Sequence, residues 1–226
     1  MGKLIVIDGL DGSGKTTQSQ RLYDELVSQG KNVRMISFPD YDSQSSALVK
    51  MYLGGEFGTD PEAVNAYAAS TFFAVDRYAS YKCKWKEFYE DPDSVIITNR
   101  YTTSNAVHQL EKTDREDWDE YLSWLFDFEY NKLGIPAPDI VMFLEMKPEI
   151  SLELIRRRSE ETGQKQDIHE LDPDYMHRSY KAALYACDKL GWKRIVCYDG
   201  KDPLSEDEIA GKILEEATML LDINGK

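Results

Sequence analysis

The stretch of sequence that decides the fold lies near the start of the chain, where residues 4–16 read LIVIDGLDGSGKT. From Gly9 to Thr16 it matches the pattern G-x-x-x-x-G-K-[ST] in full, between an apolar run that favours a strand and a run that favours a helix. Glycines allow backbone N–H groups to converge on phosphate oxygens at the positive end of a helix. The Lys15 side chain can neutralise β- and γ-phosphate oxygens, and the Thr16 hydroxyl can ligate Mg²⁺. The stretch therefore predicts a P-loop, a site for a nucleoside triphosphate.

This loop supplies the first candidate site residues. We expect ATP to be bound by Gly9, Leu10, Asp11, Gly12, Ser13, Gly14, Lys15, Thr16 and Thr17. We expect Mg²⁺, as the cofactor that accompanies ATP, to be held by Thr16 and Asp11 together with the triphosphate.

Alternating apolar and helix-forming segments outline the rest of the fold. The sequence predicts strands at 4–8, 33–38, 95–98, 140–145 and 194–198. It predicts helices near 15–29, 62–89, 102–132, 148–158, 172–189 and 205–221. Near-continuous apolar strands that alternate with helices are typical of a parallel sheet covered on both faces. We therefore predict a single domain over residues 1–226, an α/β fold with a doubly wound five-stranded parallel sheet.

Composition and charge limit the classes of partner. Hydrophobic residues make up 42% of the chain and charged residues 30%, which is typical of a globular protein. The formal net charge of -14 repels polyanions, so we expect no nucleic-acid polymer as a partner. No apolar run approaches the ~20 residues of a membrane span, so we expect no membrane partner. Because the first apolar run is short and the three cysteines are widely spaced, we expect a cytoplasmic protein with reduced, mostly buried thiols.

A P-loop by itself does not name a reaction, because GTPases, ATPases and small-molecule kinases share it. Residues 131–134, NKLG, lack the aspartate of a guanine-reading motif, and the match at 164–167 lies in a polar loop. The strand at 95–98 ends in Asn99-Arg100, whereas motor ATPases need two acidic residues there. A small-molecule kinase fits best.

Three further segments bear on the acceptor of the phosphoryl group. Phe38-Pro39-Asp40 follows the second strand, residues 72–77, FFAVDR, lie in a long predicted helix, and residues 99–105, NRYTTSN, follow the third strand. In this order and spacing the chain resembles the thymidylate kinase family over essentially its whole length. The resemblance implies a phosphotransferase that moves the γ-phosphoryl group of ATP to dTMP, giving dTDP and ADP for dTTP synthesis. It also implies a homodimer.

The resemblance implies a role for individual residues on the acceptor side. Phe73 would stack on the thymine ring, Arg77 would donate to a thymine carbonyl, and Arg100 would bind the acceptor phosphate. Asn105 would meet the pyrimidine edge, and Asp11 would lie near the sugar 3′-hydroxyl. The full set of expected acceptor-binding residues is Phe38, Pro39, Phe73, Asp76, Arg77, Arg100, Tyr101, Ser104, Asn105 and His108.

Each of these residues also has a purely structural interpretation. Taken alone, Phe73 would more often be a core residue, and Asp76 with Arg77 would be an exposed ion pair. Ser104 and Asn105 would cap a helix. Only their ordered combination favours a nucleotide site.

The transferring phosphoryl group also needs a positive charge above it. Some members of the family carry an arginine inside the P-loop, where this chain has Gly12. We expect a mobile lid at approximately 156–170, containing the polar segment 159–170, that closes over ATP and delivers one of three neighbouring arginines. Basic residues that complement a helix C-terminus are the simpler interpretation. The expected catalytic residues are Lys15, Asp11, Arg100, Arg156, Arg157 and Arg158.

Departures from the family pattern keep two other functions open. Asn99 stands where the family usually has Asp, so a non-catalytic nucleotide-binding regulator on the same fold is one alternative. Asp40 could act as the carboxylate base of a deoxynucleoside kinase, whose acceptor is a neutral hydroxyl. Glu170 closes the lid segment and is a candidate to order it.

Overall fold

The structure is a computed structural model that describes residues 1–58, 60, 63–162 and 173–222. The strands are β1 (Lys3–Gly9), β2 (Asn32–Ser37), β3 (Ser94–Asn99), β4 (Ile140–Glu145), β5 (Lys193–Val196), β6 (Tyr198–Asp199) and β7 (Asp202–Pro203). The α-helices are α1 (Lys15–Ser28), α2 (Ala47–Leu53), α3 (Ala66–Ser80), α4 (Lys86–Tyr89), α5 (Thr102–His108), α6 (Trp118–Phe126), α7 (Pro148–Thr162), α8 (Pro173–Leu190) and α9 (Glu206–Asp222). Two π-helical segments, Tyr81–Trp85 and Asp127–Lys132, continue α3 and α6.

Five strands form one parallel sheet in the order β2-β3-β1-β4-β5. This arrangement confirms the predicted α/β fold with a five-stranded parallel sheet. In the central register Ile7 lies opposite Asn99, and Gly9 lies opposite Leu144. Because the carboxyl ends of parallel strands meet at one edge, the loops after β1, β2 and β3 converge there, which is where α/β sheets bind ligands.

Side chains of the central strand alternate between two hydrophobic cores, one on each face of the sheet. In β1, Ile5 and Ile7 belong to a core that α1 and α9 cover, while Leu4 and Val6 belong to a core with Trp85 from the π-helical segment. A strand with both faces buried is a continuous apolar run, and this is why the first strand is recognisable in the sequence. No helix in the described parts of the chain has the length and apolarity needed to cross a membrane.

Several predicted helices differ from the observed ones. The long helix expected near 102–132 is interrupted between α5 and α6, and the helix expected near 62–89 begins at Ala66, where the Asn65 side chain accepts a hydrogen bond from the Ala68 N–H. Helix α2 was not predicted. The prediction that residues 159–162 are loop is wrong, because α7 continues through them. The rest of the expected lid, including Glu170, lies outside the described residues.

The cysteines agree with the expectation of mostly buried thiols. Cys187 and Cys197 are buried and free, as expected of reduced core thiols, but Cys83 is exposed. It lies in the π-helical segment that follows α3, on the side turned away from the core.

Candidate functional site

The loop between β1 and α1 has the backbone geometry of a phosphate cradle. Gly12 and Gly14 have φ values of 75° and 86°, in the left-handed region that glycine adopts at little cost. A Cβ atom at Gly12 would lie 2.7 Å from the Ser151 carbonyl oxygen and 2.9 Å from Ile155 Cγ1 of α7. Gly12 is therefore required by packing as well as by φ, so an arginine at this position would not fit without movement of α7.

Lys15 is held inside the loop. Its Nζ atom donates to the Leu10 carbonyl oxygen at 2.7 Å and lies 3.9 Å from an Asp11 carboxylate oxygen. Burial, and then the positive charge of Arg100, lower the pKa of Lys15 to about 7, although Asp11 and Asp8 favour the charged form. A large fraction of the Lys15 amines is therefore neutral at physiological pH, and a polyanion bound beside the amine would favour the charged form.

A second cavity opens at the same edge of the sheet, beside the P-loop. Its lining residues are Asp11, Phe38, Pro39, Tyr41, Leu53, Phe73, Arg77, Arg100, Tyr101, Ser104, Asn105, His108, Gln109 and Tyr175. The cavity brings together the residues expected on the acceptor side, apart from Asp76, although they come from three distant segments of the chain. We call it the acceptor cavity.

Arg100 joins the acceptor cavity to the P-loop. One nitrogen of its guanidinium group donates to the Asp11 carboxylate, and another lies 2.9 Å from His108 Nε2. The backbone of Arg100 has φ of 66°, a conformation that costs a non-glycine residue about 1–3 kcal/mol and that is concentrated at functional sites. The strained backbone places the guanidinium group between the P-loop and the acceptor cavity.

Phe73 and Arg77 lie one helical turn apart on α3 and face the acceptor cavity. Phe73 is half-buried, and its ring is perpendicular to that of Tyr52, with 6.1 Å between the ring centroids. Arg77 is almost completely buried and donates from Nε and Nη2 to the two carboxylate oxygens of Glu129, at 2.7 and 2.5 Å respectively. An exposed ion pair between Asp76 and Arg77 is therefore ruled out.

Asp76 is the expected acceptor-binding residue that the lining of the cavity, as far as the chain is described, does not include. Its buried carboxylate accepts hydrogen bonds from the Asp40 N–H at 2.8 Å and from the Ser45 hydroxyl at 2.6 Å. These bonds fix the loop after β2, where the Phe38–Pro39 peptide bond is cis. Asp76 thus shapes the cavity wall from behind.

The start of α5 places polar side chains around the cavity. The Ser104 hydroxyl donates to Asp8 at 2.8 Å, and the buried Asn105 amide donates to the Ser70 carbonyl oxygen at 3.3 Å. His108 Nδ1 lies 3.0 Å from the Tyr175 hydroxyl, and the two rings are stacked. Ser104, Asn105, His108 and Tyr175 all line the acceptor cavity.

Tyr101 lies between the acceptor cavity and the hydrophobic core. Its side chain is completely buried, and its hydroxyl donates to the Pro136 carbonyl oxygen at 2.9 Å. The ring stacks on Tyr130 of the second π-helical segment. The side chain therefore supports the floor of the acceptor cavity and belongs to the core.

The candidate metal site comprises Thr16 and Asn99. The Asn99 amide nitrogen donates to the Thr16 hydroxyl oxygen at 3.1 Å, while its amide oxygen is buried and has no hydrogen-bond partner. Hydroxyl and amide oxygens suit Mg²⁺, a hard cation that prefers oxygen ligands and retains several waters. The residues present therefore fit a magnesium ion, with Thr16 as ligand and Asn99 beside it. The described residues contain no cluster of three or more carboxylate, histidine or cysteine side chains that could hold a metal without the nucleotide.

The three arginines at the end of α7 differ in their surroundings. Arg156 pairs with Glu153 and Glu160, and Arg157 also pairs with Glu153, all on the exposed surface. Arg158 is exposed as well, and its charge reaches Lys15, where it adds to burial and Arg100 in lowering the pKa. The structure thus distinguishes Arg158 from its two neighbours.

Two features of the site bear on the alternative functions. The Asp40 carboxylate is paired with Lys84 and is absent from the lining of the acceptor cavity, within the described chain. The carboxylate base that a deoxynucleoside kinase needs is thus turned away from the acceptor. The geometry around Lys15 and Arg100 gives no support to a regulator that has lost its catalytic groups.

Sequence reasoning missed several cavity residues. Tyr41, Leu53, Gln109 and Tyr175 line the acceptor cavity, and Glu129 holds Arg77 without reaching the surface. Leu53 lies on the helix that was not predicted, and Tyr175 lies on α8, far along the chain from the other lining residues. Gln109 directly follows His108, so its nearness to the predicted residues after the third strand was the signal in the sequence that could have identified it.

Comparisons with known proteins agree with this site. A sequence profile of the thymidylate kinase family matches residues 7–206. Thymidylate kinase from Mycobacterium tuberculosis is 30% identical over 190 residues, which cover 81% of this chain and 84% of that protein. Thymidylate kinase from Caenorhabditis elegans is 28% identical over 159 residues, 66% of each chain. A solved structure of thymidylate kinase from Candida albicans superposes with a TM-score of 0.68 at 21% identity and covers 97% of this chain and 93% of that chain, so the fold is shared.

Proposed function

The chain belongs to the thymidylate kinase family, and we propose that its P-loop and acceptor cavity together transfer the γ-phosphoryl group of ATP to dTMP, giving dTDP and ADP. One observation carries the assignment of residues: Arg100 lies between the two sites, in contact with Asp11 of the P-loop and with His108 of the acceptor cavity. A cation in that place can bind an acceptor phosphate directly opposite the donor phosphates.

On the donor side, the loop from Gly9 to Thr17 surrounds the triphosphate of ATP with backbone N–H groups. Lys15 gains a full charge when the phosphates arrive, because their negative charge opposes the burial that lowers its pKa. Its charge then offsets the repulsion between two polyanions, which is the main barrier to their approach.

On the acceptor side, the residues divide into base and phosphate contacts. Phe73 stacks on the thymine ring, since aromatic faces suit a flat base. Arg77, which can only donate hydrogen bonds, meets a thymine carbonyl, and Asn105 meets the polar edge of the base. Arg100 binds the phosphate of dTMP, and a planar guanidinium group can do so through two parallel hydrogen bonds.

The reaction needs alignment and charge more than it needs a base. The acceptor phosphate is already ionised near neutral pH, because its second pKa is ~6. Catalysis then depends on bringing an acceptor oxygen in line with the γ-phosphorus and on stabilising the charge of the transferring group. Lys15 and Arg100 provide fixed charges at the two ends of this line.

Magnesium ion completes the donor site in this proposal. When bound, it neutralises the charge of the β- and γ-phosphate oxygens. Thr16 would ligate it, and the unpaired amide oxygen of Asn99 would accept a hydrogen bond from one of its waters. Asp11, which contacts Arg100 and Lys15, is the second candidate, close to the metal and to the acceptor phosphate.

Among the lid arginines, Arg158 is our choice for the charge over the transferring group. Of the three, Arg158 is the one whose positive charge helps to lower the pKa of Lys15, after burial and Arg100. Closure of a lid that begins near this residue would bring the guanidinium group over the γ-phosphate and exclude water.

The wider expectations also belong to the proposal. We place the protein in the cytoplasm, which the free, buried thiols of Cys187 and Cys197 support. We also treat the chain as a single kinase domain. We expect a homodimer that packs through α3, where Tyr67, Val75 and Tyr78 are 38%, 44% and 37% exposed and share one helical face. Val75→Glu should convert the dimer to a monomer in light scattering, whereas Val75→Ala should not.

An acceptor panel tests the function. With ATP and Mg²⁺, the purified protein should form dTDP from dTMP faster than it phosphorylates dUMP, dCMP, dGMP or thymidine. A preference for thymidine would favour the deoxynucleoside kinase, and a preference for the purine would contradict the assignment of Phe73 and Arg77. Failure to turn over any acceptor would favour the regulator.

A further inference from the structure

A completely buried carboxylate lies behind the acceptor cavity. Glu129 belongs to the π-helical segment Asp127–Lys132 and has no exposed surface, although its side chain is ionisable. Such segments occur frequently at functional sites, and a buried carboxylate is costly unless it is fully paired. Glu129 is fully paired, and its partners are informative.

The partners of Glu129 come from two helices that contribute residues to the acceptor cavity, α3 and α5. Its Oε1 accepts from Arg77 Nη2 at 2.5 Å, and its Oε2 accepts from Arg77 Nε at 2.7 Å. Oε2 also accepts from the Thr102 hydroxyl at 2.9 Å, at the start of the helix that carries Ser104 and Asn105. One carboxylate thus links α3, which carries Phe73 and Arg77, to the start of α5.

This pairing decides which edge of the Arg77 guanidinium group is available to a ligand. Of the five N–H groups of a guanidinium group, two donate to Glu129 and one, on Nη1, donates to the Tyr101 carbonyl oxygen at 3.3 Å. Arg77 nevertheless lines the acceptor cavity. Two N–H groups are left for a ligand, in a plane that the bidentate pair fixes.

We propose that Glu129 is the positioning residue for Arg77, and that it sets the preference of this site for pyrimidines with a 4-oxo group over those with a 4-amino group. The inference rests on the proposed function, because it requires Arg77 to face the base. A guanidinium group held by Glu129 presents only donors, which match a carbonyl oxygen and repel an amino group. Without Glu129 the side chain can rotate, and both its affinity and its discrimination are lost.

Equilibrium binding of two acceptors tests this role. Calorimetry should compare dTMP with 5-methyl-dCMP, which differs at the 4-position and the adjoining ring nitrogen, in the wild-type protein and in Glu129→Gln. We expect the variant to bind dTMP at least tenfold more weakly, to lose most of its preference for dTMP over 5-methyl-dCMP, and to keep its affinity for ATP within twofold. Glu129→Asp keeps the negative charge and should recover part of the preference.

A matched control separates this role from loss of stability. Glu145 is also a buried glutamate paired with an arginine, since it accepts from Arg194 Nε at 2.8 Å, and it lies outside the acceptor cavity. Glu145→Gln should lower the melting temperature without changing the ratio of the two affinities. If Glu129→Gln does not fold, the ratio in Glu129→Asp decides.

Two results would be adverse, and they differ in meaning. If the Glu129 variants lose melting temperature but keep the wild-type ratio of affinities, Glu129 is only structural and the inference is overturned. If the wild-type protein binds dTMP and 5-methyl-dCMP equally and forms no dTDP, the proposed function itself fails.

Discussion

Binding of ATP should add protons to this protein, because Lys15 is held partly neutral until a triphosphate reaches it. Burial, and then the charge of Arg100, lower its pKa to about 7. Phosphate oxygens within hydrogen-bond distance favour the ammonium form and raise the pKa again. A protein that binds ATP at a pH above 7 must therefore take up a proton from solution.

The size of the effect follows from the pKa. At pH 8 about nine tenths of the Lys15 amines are neutral in the free protein, and if the bound pKa returns to ~10.4, about 0.9 proton is taken up per ATP. At pH 6 the same calculation gives about 0.1 proton, since the amine is already charged. The uptake should therefore rise with pH between 6 and 8.

Titration calorimetry in buffers of different ionisation enthalpy measures this number directly. ATP should be titrated with Mg²⁺ in the absence of an acceptor, at pH 8, where the phosphates of ATP are fully ionised because their last pKa is ~6. Lys15→Arg is the matched control, since arginine stays charged at every pH used. Lys15→Met serves if the arginine variant does not bind.

Either of two outcomes would refute the reasoning. Uptake of no more than ~0.2 proton at pH 8 would mean that the free amine is already charged, or that it stays neutral with ATP bound. An uptake in Lys15→Arg equal to that of the wild type would assign the proton to another group.

Three further predictions concern single side chains. Arg158→Ala should lower kcat at least ~10-fold, because a charge contact in the transition state contributes more than ~1.4 kcal/mol. The kcat of Arg156→Ala and of Arg157→Ala should stay within ~3-fold of the wild-type value. Equal losses of kcat in all three variants would contradict the choice of Arg158. Phe73→Ala should raise the KM for dTMP about tenfold and leave the KM for ATP unchanged, since stacking of one base contributes about 1–3 kcal/mol, and Phe73→Tyr is the control. Gly12→Ala should abolish measurable ATP binding, because Gly12 has φ of 75° and a Cβ there would lie 2.7 Å from a carbonyl oxygen; normal binding in calorimetry would show that the loop tolerates the side chain.

The parts of the site that lie in one continuous stretch could be predicted from the sequence. The P-loop is such a stretch, because a strand, three glycines, a lysine and a threonine follow one another, and local backbone geometry then decides the rest. The parallel sheet was predictable for a similar reason, since strands buried on both faces are apolar throughout. Phe73 and Arg100, which line the acceptor cavity, were predicted through the resemblance to thymidylate kinases, which rests on the order of motifs along the chain.

The outcome for Asp76 shows where that approach stops. The sequence places Asp76 beside Arg77, and neighbouring opposite charges on a helix suggest a pair. In the fold the two side chains point in different directions, one to the loop after β2 and the other to Glu129, 52 residues away along the chain. The interruption between α5 and α6 and the unpredicted α2 were missed because packing against other elements, more than local propensity, stabilises short helices.

By itself, then, the sequence determined the sheet, the phosphate cradle and the reaction class, because these depend on neighbours along the chain and on residue types at fixed spacing. Only the tertiary structure decided that Glu129 holds Arg77, and that burial and the charge of Arg100 lower the pKa of Lys15 to about 7. Those properties depend on burial and on distances between groups far apart in the chain, and both arise only when the chain has folded.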